Sequence, residues 1–241
     1  MQLADPEGFK KSEEAVSGAS VQIAELPFTN VLTHLQRTGV TVPQLHYYDR
    51  AAGLLYLEDF GDLTLAEACR DADRDRLVAF YRQAIDQLVL LQVKGTQPPA
   101  PGCIAFHRGF DVPLLMWEFD HFLEYGIVAR LGQPMKPADD KAVRAEFQRI
   151  AELLAGQPQV FVHRDYHSRN LMVDGARLGI IDFQDALMGP ATYDLASLLK
   201  DAYIELDDAV VDGLVDHFLN GLVAHGQGWA DRAAFRRLFD F

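Results

Sequence analysis

Residues 160–173 read VFVHRDYHSRNLMV, and this stretch is the most informative part of the sequence about the fold. Three apolar residues, Val160–Val162, precede a polar loop, and three more, Leu171–Val173, follow it. Short apolar runs bounded by polar loops are typical of buried strands. The stretch therefore predicts two strands joined by a loop that carries several ionisable and amide side chains.

Inside the loop, His163-Arg164-Asp165 is followed after four further residues by Asn170. The catalytic loop of kinases has this spacing, H-R-D-x-x-x-x-N. The chemistry explains the spacing, because a carboxylate accepts the proton of the attacking hydroxyl while an amide oxygen further along the loop holds Mg²⁺ against the phosphate. We therefore predict that Asp165 is the catalytic base and Asn170 a metal ligand, against the alternative that Asp165 only caps the loop.

A second element, LGIIDFQD, occupies residues 178–185. Asp182 ends an apolar strand and precedes Phe183, which is the position of the D-F-G aspartate that binds the metal ions on the nucleotide. Gln184 stands where protein kinases have glycine. We predict that Asp182 is the second metal ligand, that Mg²⁺ is the cofactor, and that ATP is the co-substrate.

Three further side chains near these motifs have more than one interpretation. Asp194, in GPATYDLA at residues 189–196, is predicted to give structural support, either by capping a helix or by bracing the catalytic loop from beneath. His163 is predicted to be a structural histidine that hydrogen-bonds the loop, against the alternative that it acts as an acid or base. His167 either contacts the substrate or is solvated.

Taken together, HRDYHSRNLM, IDFQDA and GPATYDLASLL resemble the aminoglycoside phosphotransferase (choline-kinase-like) superfamily. Within it the closest resemblance is to bacterial cell-wall amino-sugar kinases, over residues 20–241 with the specific motifs in 160–200. It implies a protein-kinase-like two-lobe α+β fold and transfer of phosphate from ATP to the anomeric hydroxyl of N-acetylmuramate or N-acetylglucosamine, as in peptidoglycan recycling.

The same resemblance implies roles for further residues. Glu58, Asp59 and Phe60 would lie at the adenine-binding hinge. Gln184 and Asp185 would face the acceptor sugar.

A boundary is predicted at the polar break Glu58–Asp62. Residues 63–241 are mainly helical and are expected to form the large catalytic and acceptor-binding lobe. Neither the glycine-rich hairpin nor the strand lysine of kinase-like small lobes is visible before residue 40. Residues 1–60 are therefore expected to be the remnant of an N-terminally truncated small lobe, with the hinge at 58–62.

Hydrophobic periodicity and glycine or proline breaks predict the remaining elements. Helices are expected at 28–37, 74–94, 113–130, 137–154, 193–202, 208–224 and 229–239, and extended segments at 44–48, 54–57, 160–162, 171–173 and 178–181. In the third helix Trp117, Phe119 and Phe122 are expected to be core. Its polar residues, Glu118, Asp120 and His121, either line an acceptor pocket or form a solvated face.

Composition excludes several classes of function. A net charge of −13 argues against a broad nucleic-acid surface. No apolar run is long enough to cross a membrane, and residues 1–20 lack the apolar segment of a signal peptide. Cys69 and Cys103 show no metal-binding spacing and suit a reducing compartment. We therefore expect a cytoplasmic protein with no nucleic-acid or membrane partner.

Two rival functions stay open at this point. One is a kinase of another acceptor, such as an aminoglycoside, choline or homoserine. The other is a nucleotide-binding module that has lost catalysis.

Overall fold

The computed structural model describes residues 25–227 and 232–240. In these ranges the helices are α1 (Pro27–Leu35), α2 (Leu65–Arg70), α3 (Arg74–Thr96), α4 (Val112–His121), α5 (Ala129–Leu131), α6 (Pro137–Ala155), α7 (Tyr193–Leu199), α8 (Asp208–Ala224) and α9 (Arg232–Phe239). A 3₁₀ turn covers Ile104–His107, and a π-helical segment, Phe122–Val128, joins α4 to α5. The strands are β1 (Leu45–Asp49), β2 (Leu54–Leu57), β3 (Gln159–Val162), β4 (Leu171–Asp174), β5 (Arg177–Ile180) and β6 (Leu187–Pro190).

The strands form three antiparallel pairs, β1 with β2, β4 with β5, and β3 with β6. The first two pairs are hairpins between consecutive strands. The third pair joins strands that are separated by both hairpin strands β4 and β5, with Val162 opposite Leu187. This arrangement brings the segment after β3 and the segment after β5 to the same place.

Aspartate side chains fix the starts of three helices. Asp73, Asp111 and Asp207 each accept a hydrogen bond from the backbone N–H three residues on, at 2.8, 2.9 and 2.9 Å. A capping side chain of this kind contributes about 1 kcal/mol, because it satisfies an N–H that lacks a partner within the helix. The start at residue 74 predicted for the second helix is thereby confirmed.

Helix α3 forms the centre of the main core, where it packs against α8 and β3. Its side chains Tyr81, Ala84, Ile85 and Leu88 are completely buried. The catalytic-loop residue Tyr166 is also buried, and its hydroxyl donates to the carbonyl of Ala84 at 2.7 Å. The predicted loop is therefore anchored directly on the core helix.

Most predicted elements are found, and three need correction. Strand β6 was missed because Gly189 and Pro190 indicated a break before a helix. The helix predicted at 113–130 is interrupted by the π-helical segment, and the one predicted at 193–202 ends at Leu199. The expectations that rest on residues 1–24 and 228–231 lie outside the described residues. In the described part of the chain, no helix combines the length and the apolar character needed to span a bilayer.

Candidate active site

The loop at residues 163–170 connects β3 to β4, so both its ends are fixed by paired strands. The carbonyl of Asn170 at its end accepts a hydrogen bond from the N–H of Ile181 at 3.0 Å. This bond places the segment with Asp182 beside the loop, as the sequence predicted.

His163 links these two segments through its imidazole ring. Its Nε2–H donates to the carbonyl of Ile181 at 2.9 Å, and its Nδ1 accepts from the N–H of Asp165 at 3.2 Å. This pattern requires the neutral ring. Burial lowers the pKa of His163 to about 4, which agrees with it. The geometry is that of the predicted structural histidine.

Asp194 lies beneath the start of the loop, on the first turn of α7. Its two carboxylate oxygens accept from the N–H groups of His163 and Arg164 at 2.7 and 3.0 Å. The side chain is completely buried, and burial raises the pKa of Asp194 to about 7. Arg164 adopts φ +85°, a left-handed conformation that costs about 1–3 kcal/mol for residues other than glycine. Of the two arrangements expected for Asp194, bracing is the one found.

The predicted base and both predicted metal ligands lie together. The Nδ2 of Asn170 donates to the carbonyl of Asp165 at 3.0 Å and lies 3.5 Å from Oδ2 of Asp182. Asp182 itself adopts φ +64°, a left-handed conformation that residues other than glycine rarely occupy. The structure thus brings Asp165, Asn170 and Asp182 to one point at the protein surface.

The pKa of Asp165 is raised mainly by partial burial of its carboxyl group. The neighbouring carboxylate of Asp182 raises it further, and the guanidinium of Arg164 opposes the shift. A carboxylate with a raised pKa is a better proton acceptor than an ordinary surface aspartate.

Asn170 and Asp182 fit a magnesium ion that is shared with a nucleotide. Mg²⁺ prefers oxygen ligands and usually keeps phosphate and water in the positions that protein leaves open. Within residues 25–227 and 232–240, no cluster of three His, Cys, Asp or Glu side chains is suited to enclose a metal. Asn170 and Asp182 each carry a side-chain oxygen of the kind that Mg²⁺ prefers, and to bind the ion the Asn170 amide, which here presents Nδ2 to Asp182, would turn its Oδ1 towards it.

Gln184 and His167 are direct neighbours of the metal-ligand pair. Gln184 donates from Nε2 to Oδ1 of Asp182 at 2.7 Å. The Nε2 of His167 lies 3.5 Å from Nδ2 of Asn170. Asp185 is half-buried in the segment that follows Asp182. Gln184 and Asp185, which the resemblance implies would face the acceptor, and His167, whose role was left open, therefore all belong to the two segments that form the site.

Glu118 of α4 reaches the site through an ion pair that sequence reasoning did not foresee. Its Oε1 accepts a hydrogen bond from Nη2 of Arg164 at 2.6 Å, and the Arg164 side chain is only 14% exposed. Asp120, two residues later, points elsewhere and pairs with Arg144 of α6. Of Glu118, Asp120 and His121, which were expected to line a pocket or form a solvated face, Glu118 thus forms an ion pair with the predicted catalytic loop.

The aromatic residues of the same helix divide into two groups. Trp117 and Phe119 are partly buried and pack against the core, and Phe119 also stacks on Phe147 of α6 with ring centroids 4.3 Å apart. Phe122 is 53% exposed, so the prediction that it is core was wrong. It lies in the π-helical segment, which has a wider turn than the α-helix on which the periodicity argument relied.

The predicted hinge residues connect β2 to α2. Glu58 donates its N–H to the carbonyl of Gln44 at 2.8 Å, and its carboxylate accepts from Arg177 at 3.2 Å. Asp59 accepts from the N–H of Gly61 at 2.8 Å and closes a tight turn. Phe60 is buried against Gly179 of the β4–β5 hairpin. The segment joins the β1–β2 hairpin to the part of the chain that carries the catalytic loop.

The known proteins to which this chain is similar in sequence are phosphotransferases and kinases. A model described as "Phosphotransferase enzyme family" matches residues 17–235. An N-acetylmuramate/N-acetylglucosamine kinase of Pseudomonas putida is 35% identical over 219 residues, which cover 89% of this chain and 60% of the relative. A kinase of the same name from Neisseria meningitidis is 34% identical over 177 residues, which cover 73% of this chain and 51% of the relative. The chain thus spans between 47% and 60% of the length of the curated relatives it matches.

Solved structures share the fold at low sequence identity. An aminoglycoside-3'-phosphotransferase of type VIII superposes with a TM-score of 0.57 at 16% identity, covering 89% of this chain and 78% of the other. The choline kinase LicA from Streptococcus pneumoniae gives 0.54 at 16% identity, covering 83% and 64%. These neighbours confirm the predicted kinase-like α+β fold class.

Proposed function

The chain belongs to the phosphotransferase enzyme family, and we propose that it transfers the γ-phosphate of ATP to the anomeric hydroxyl of an amino sugar. N-acetylmuramate and N-acetylglucosamine are the acceptors named for its relatives. The observation that carries the proposal is the convergence of Asp165, Asn170 and Asp182, because Asn170 contacts both carboxylate-bearing residues.

Asp165 would accept the proton of the sugar hydroxyl. As the proton leaves, the hydroxyl oxygen forms a bond to the γ-phosphorus, the bond from that phosphorus to the bridging oxygen breaks, and ADP departs. The raised pKa of Asp165 strengthens it as a base. The Arg164–Glu118 ion pair and the Asp194 carboxylate both hold the residues just before Asp165, so the base keeps its direction.

Asn170 and Asp182 would hold Mg²⁺. The ion supplies positive charge that neutralises the phosphate oxygens during transfer. Gln184 fixes one oxygen of Asp182, which leaves the other oxygen directed at Asn170. The protein contribution is therefore mainly positioning, and no covalent intermediate on the enzyme is needed.

The lobe assignment forms part of the proposal. We place the hinge at Glu58–Phe60, with the nucleotide-binding side up to about residue 60 and the catalytic and acceptor-binding side from residue 63. The buried thiols of Cys69 and Cys103 are free, which supports a cytoplasmic setting where ATP is available.

The test is an acceptor panel with Mg²⁺-ATP, measured by ADP release and by ³¹P NMR of the product. N-acetylmuramate and N-acetylglucosamine should be phosphorylated, and the product signal should be that of an anomeric phosphate. The methyl glycoside of N-acetylglucosamine is the matched control, because only its anomeric oxygen is blocked. Transfer to the glycoside, or to an aminoglycoside, choline or homoserine in place of the free sugars, would refute the proposed acceptor.

A further inference from the structure

The segment that follows α7 contacts the middle of the catalytic loop. Asp201 accepts through Oδ2 from the N–H of Ser168 at 2.9 Å, and through Oδ1 from the N–H of Tyr203 at 2.8 Å. One carboxylate therefore fixes a catalytic-loop amide and, at the same time, the direction of the chain that leads to Tyr203.

Tyr203 makes two further contacts with the same loop. The guanidinium of Arg169 lies 3.8 Å from the centroid of its ring, well within the range of a cation–π attraction. The ring of His167 meets it edge-on, with centroids 5.5 Å apart. Asp201 and Tyr203 thus hold three consecutive loop residues, and we call this pair the loop clamp.

The residues held by the clamp lie directly between Asp165 and Asn170. The N–H of His167 donates to the carbonyl of Asp165 at 3.0 Å, and the N–H of Asn170 donates to the carbonyl of His167 at 3.0 Å. The His167 ring also contacts the Asn170 amide at 3.5 Å. A displacement of His167 is therefore transmitted to both residues.

The Tyr203 ring is one of the groups that orient the His167 ring. Its Nδ1 is buried and has no hydrogen-bond partner among residues 25–227 and 232–240. A ring that lacks a strong hydrogen bond at this nitrogen is held by packing, and the Tyr203 ring supplies packing from one side.

Asp194 braces a different part of the same loop. Its bonds go to the N–H groups of His163 and Arg164, at the start. The loop clamp acts on residues 167–169, in the second half. The two supports together would fix the residues before Asp165 and the residues before Asn170.

We infer that Asp201 and Tyr203 are positioning residues that set Asn170 and Asp165 for phosphoryl transfer. The inference rests on the proposed function of those two residues. Neither clamp residue needs to touch the substrate. Their effect would arise because a misplacement of about 1 Å at a reacting group can cost roughly 10²-fold in rate.

The test compares Tyr203→Leu, Tyr203→Phe and Asp201→Ala with the parent chain. Tyr203 is 47% exposed, so its replacement leaves the core intact. Tyr203→Phe retains both ring contacts and should keep the parent rate. Tyr203→Leu and Asp201→Ala should lower kcat about tenfold or more and raise the Mg²⁺ concentration at half-maximal rate. Tyr47→Leu, at a 60% exposed tyrosine on β1, is the matched control.

A second readout separates the clamp from the proposed activity. Hydrogen–deuterium exchange of the amides at residues 166–170 should become faster in Tyr203→Leu and Asp201→Ala and stay unchanged in Tyr203→Phe and Tyr47→Leu. Unchanged exchange and unchanged Mg²⁺ dependence in Tyr203→Leu would overturn the inference. If the parent chain transfers phosphate to no acceptor, the proposed function fails, and the exchange rates alone decide whether the clamp holds the loop.

Discussion

At the residue scale, the burial of His163 in the loop makes the free energy of unfolding depend on pH. Its pKa is about 4 in the folded protein, against an ordinary value of about 6.5 for an unfolded chain. As the pH falls from 6.5 towards 4, the unfolded chain binds a proton at this ring that the folded chain does not bind. The free energy of unfolding should therefore decrease across this window.

Replacing His163 by Gln tests this link. The variant should be less stable at pH 7, since the hydrogen bonds to Ile181 and Asp165 change, but its stability should fall less steeply between pH 6.5 and 4. The difference in slope is at most one proton, or about 1.4 kcal/mol per pH unit. Chemical denaturation at several pH values measures it, and identical slopes in the two proteins would show that His163 is not held neutral.

The two predicted metal ligands should contribute unequally to Mg²⁺-dependent nucleotide binding. Asp182 offers a charged oxygen and Asn170 a neutral one, so Asp182→Ala should weaken Mg²⁺-dependent nucleotide binding more than Asn170→Ala. Titration of Mg²⁺ against bound nucleotide measures this. Asp139→Ala, at an exposed carboxylate of α6, is the control and should match the parent. Equal Mg²⁺ dependence in all four proteins would contradict both roles.

The spacing of the motif identified the predicted catalytic residues in the sequence. It did not identify the residues that contact them. Asp165 and Asn170 are five positions apart in one loop, so local geometry alone brings them together. Glu118 is 46 positions from Arg164, and Asp201 is 33 positions from Ser168. Such pairs are created by the packing of helices against the loop, and the residues carry no local pattern that marks them.

At the element scale, the β4–β5 hairpin depends on a glycine that allows close packing. A Cβ atom at Gly179 would lie 2.3 Å from Cε2 of Phe60. Phe60 is buried and belongs to the proposed hinge, so its ring cannot yield without moving that segment. Gly179 thus couples the strand before Asp182 to the segment that leads from β2 to α2.

We predict that Gly179→Ala lowers the free energy of unfolding by about 1–3 kcal/mol through overpacking. Gly213→Ala is the matched control, because Gly213 lies in α8 with nothing within 4 Å of an added Cβ. That change should stabilise the helix by up to about 1 kcal/mol. Phe60→Leu in the Gly179→Ala background should recover part of the loss. Similar melting of the Gly179→Ala variant and the parent would show that the contact is not tight.

Elements with strong periodicity were predictable, and those created by tertiary pairing were not. Helix α3 begins at Arg74 as predicted, because Asp73 caps it and its apolar residues repeat at helical spacing. Strand β6 has little strand character of its own and exists because β3 offers it partners. The π-helical segment Phe122–Val128 likewise has no signal in a pattern based on 3.6 residues per turn.

At the scale of the whole molecule, the described residues form two hairpins, the β3–β6 pair and a helical core, and these present the 163–170 loop at the surface. The kinase-like fold class was predictable because the motifs at 160–173, 178–185 and 189–196 resemble those of a family with that fold. The negative charge of the chain is a property of its entire surface and did not help to locate the site. The lobe boundary near residue 60 stays a prediction.

We propose that the loop between β3 and β4 performs phosphoryl transfer with Asp165 as its base. The most direct test is the rate of transfer from Mg²⁺-ATP to the best acceptor for the Asp165→Asn variant and the parent, with thermal melting of both. An amide cannot take up the hydroxyl proton, so the rate should fall by about 10²–10⁴-fold while the melting temperature stays close to that of the parent. Retention of more than about half the parent rate would contradict the account.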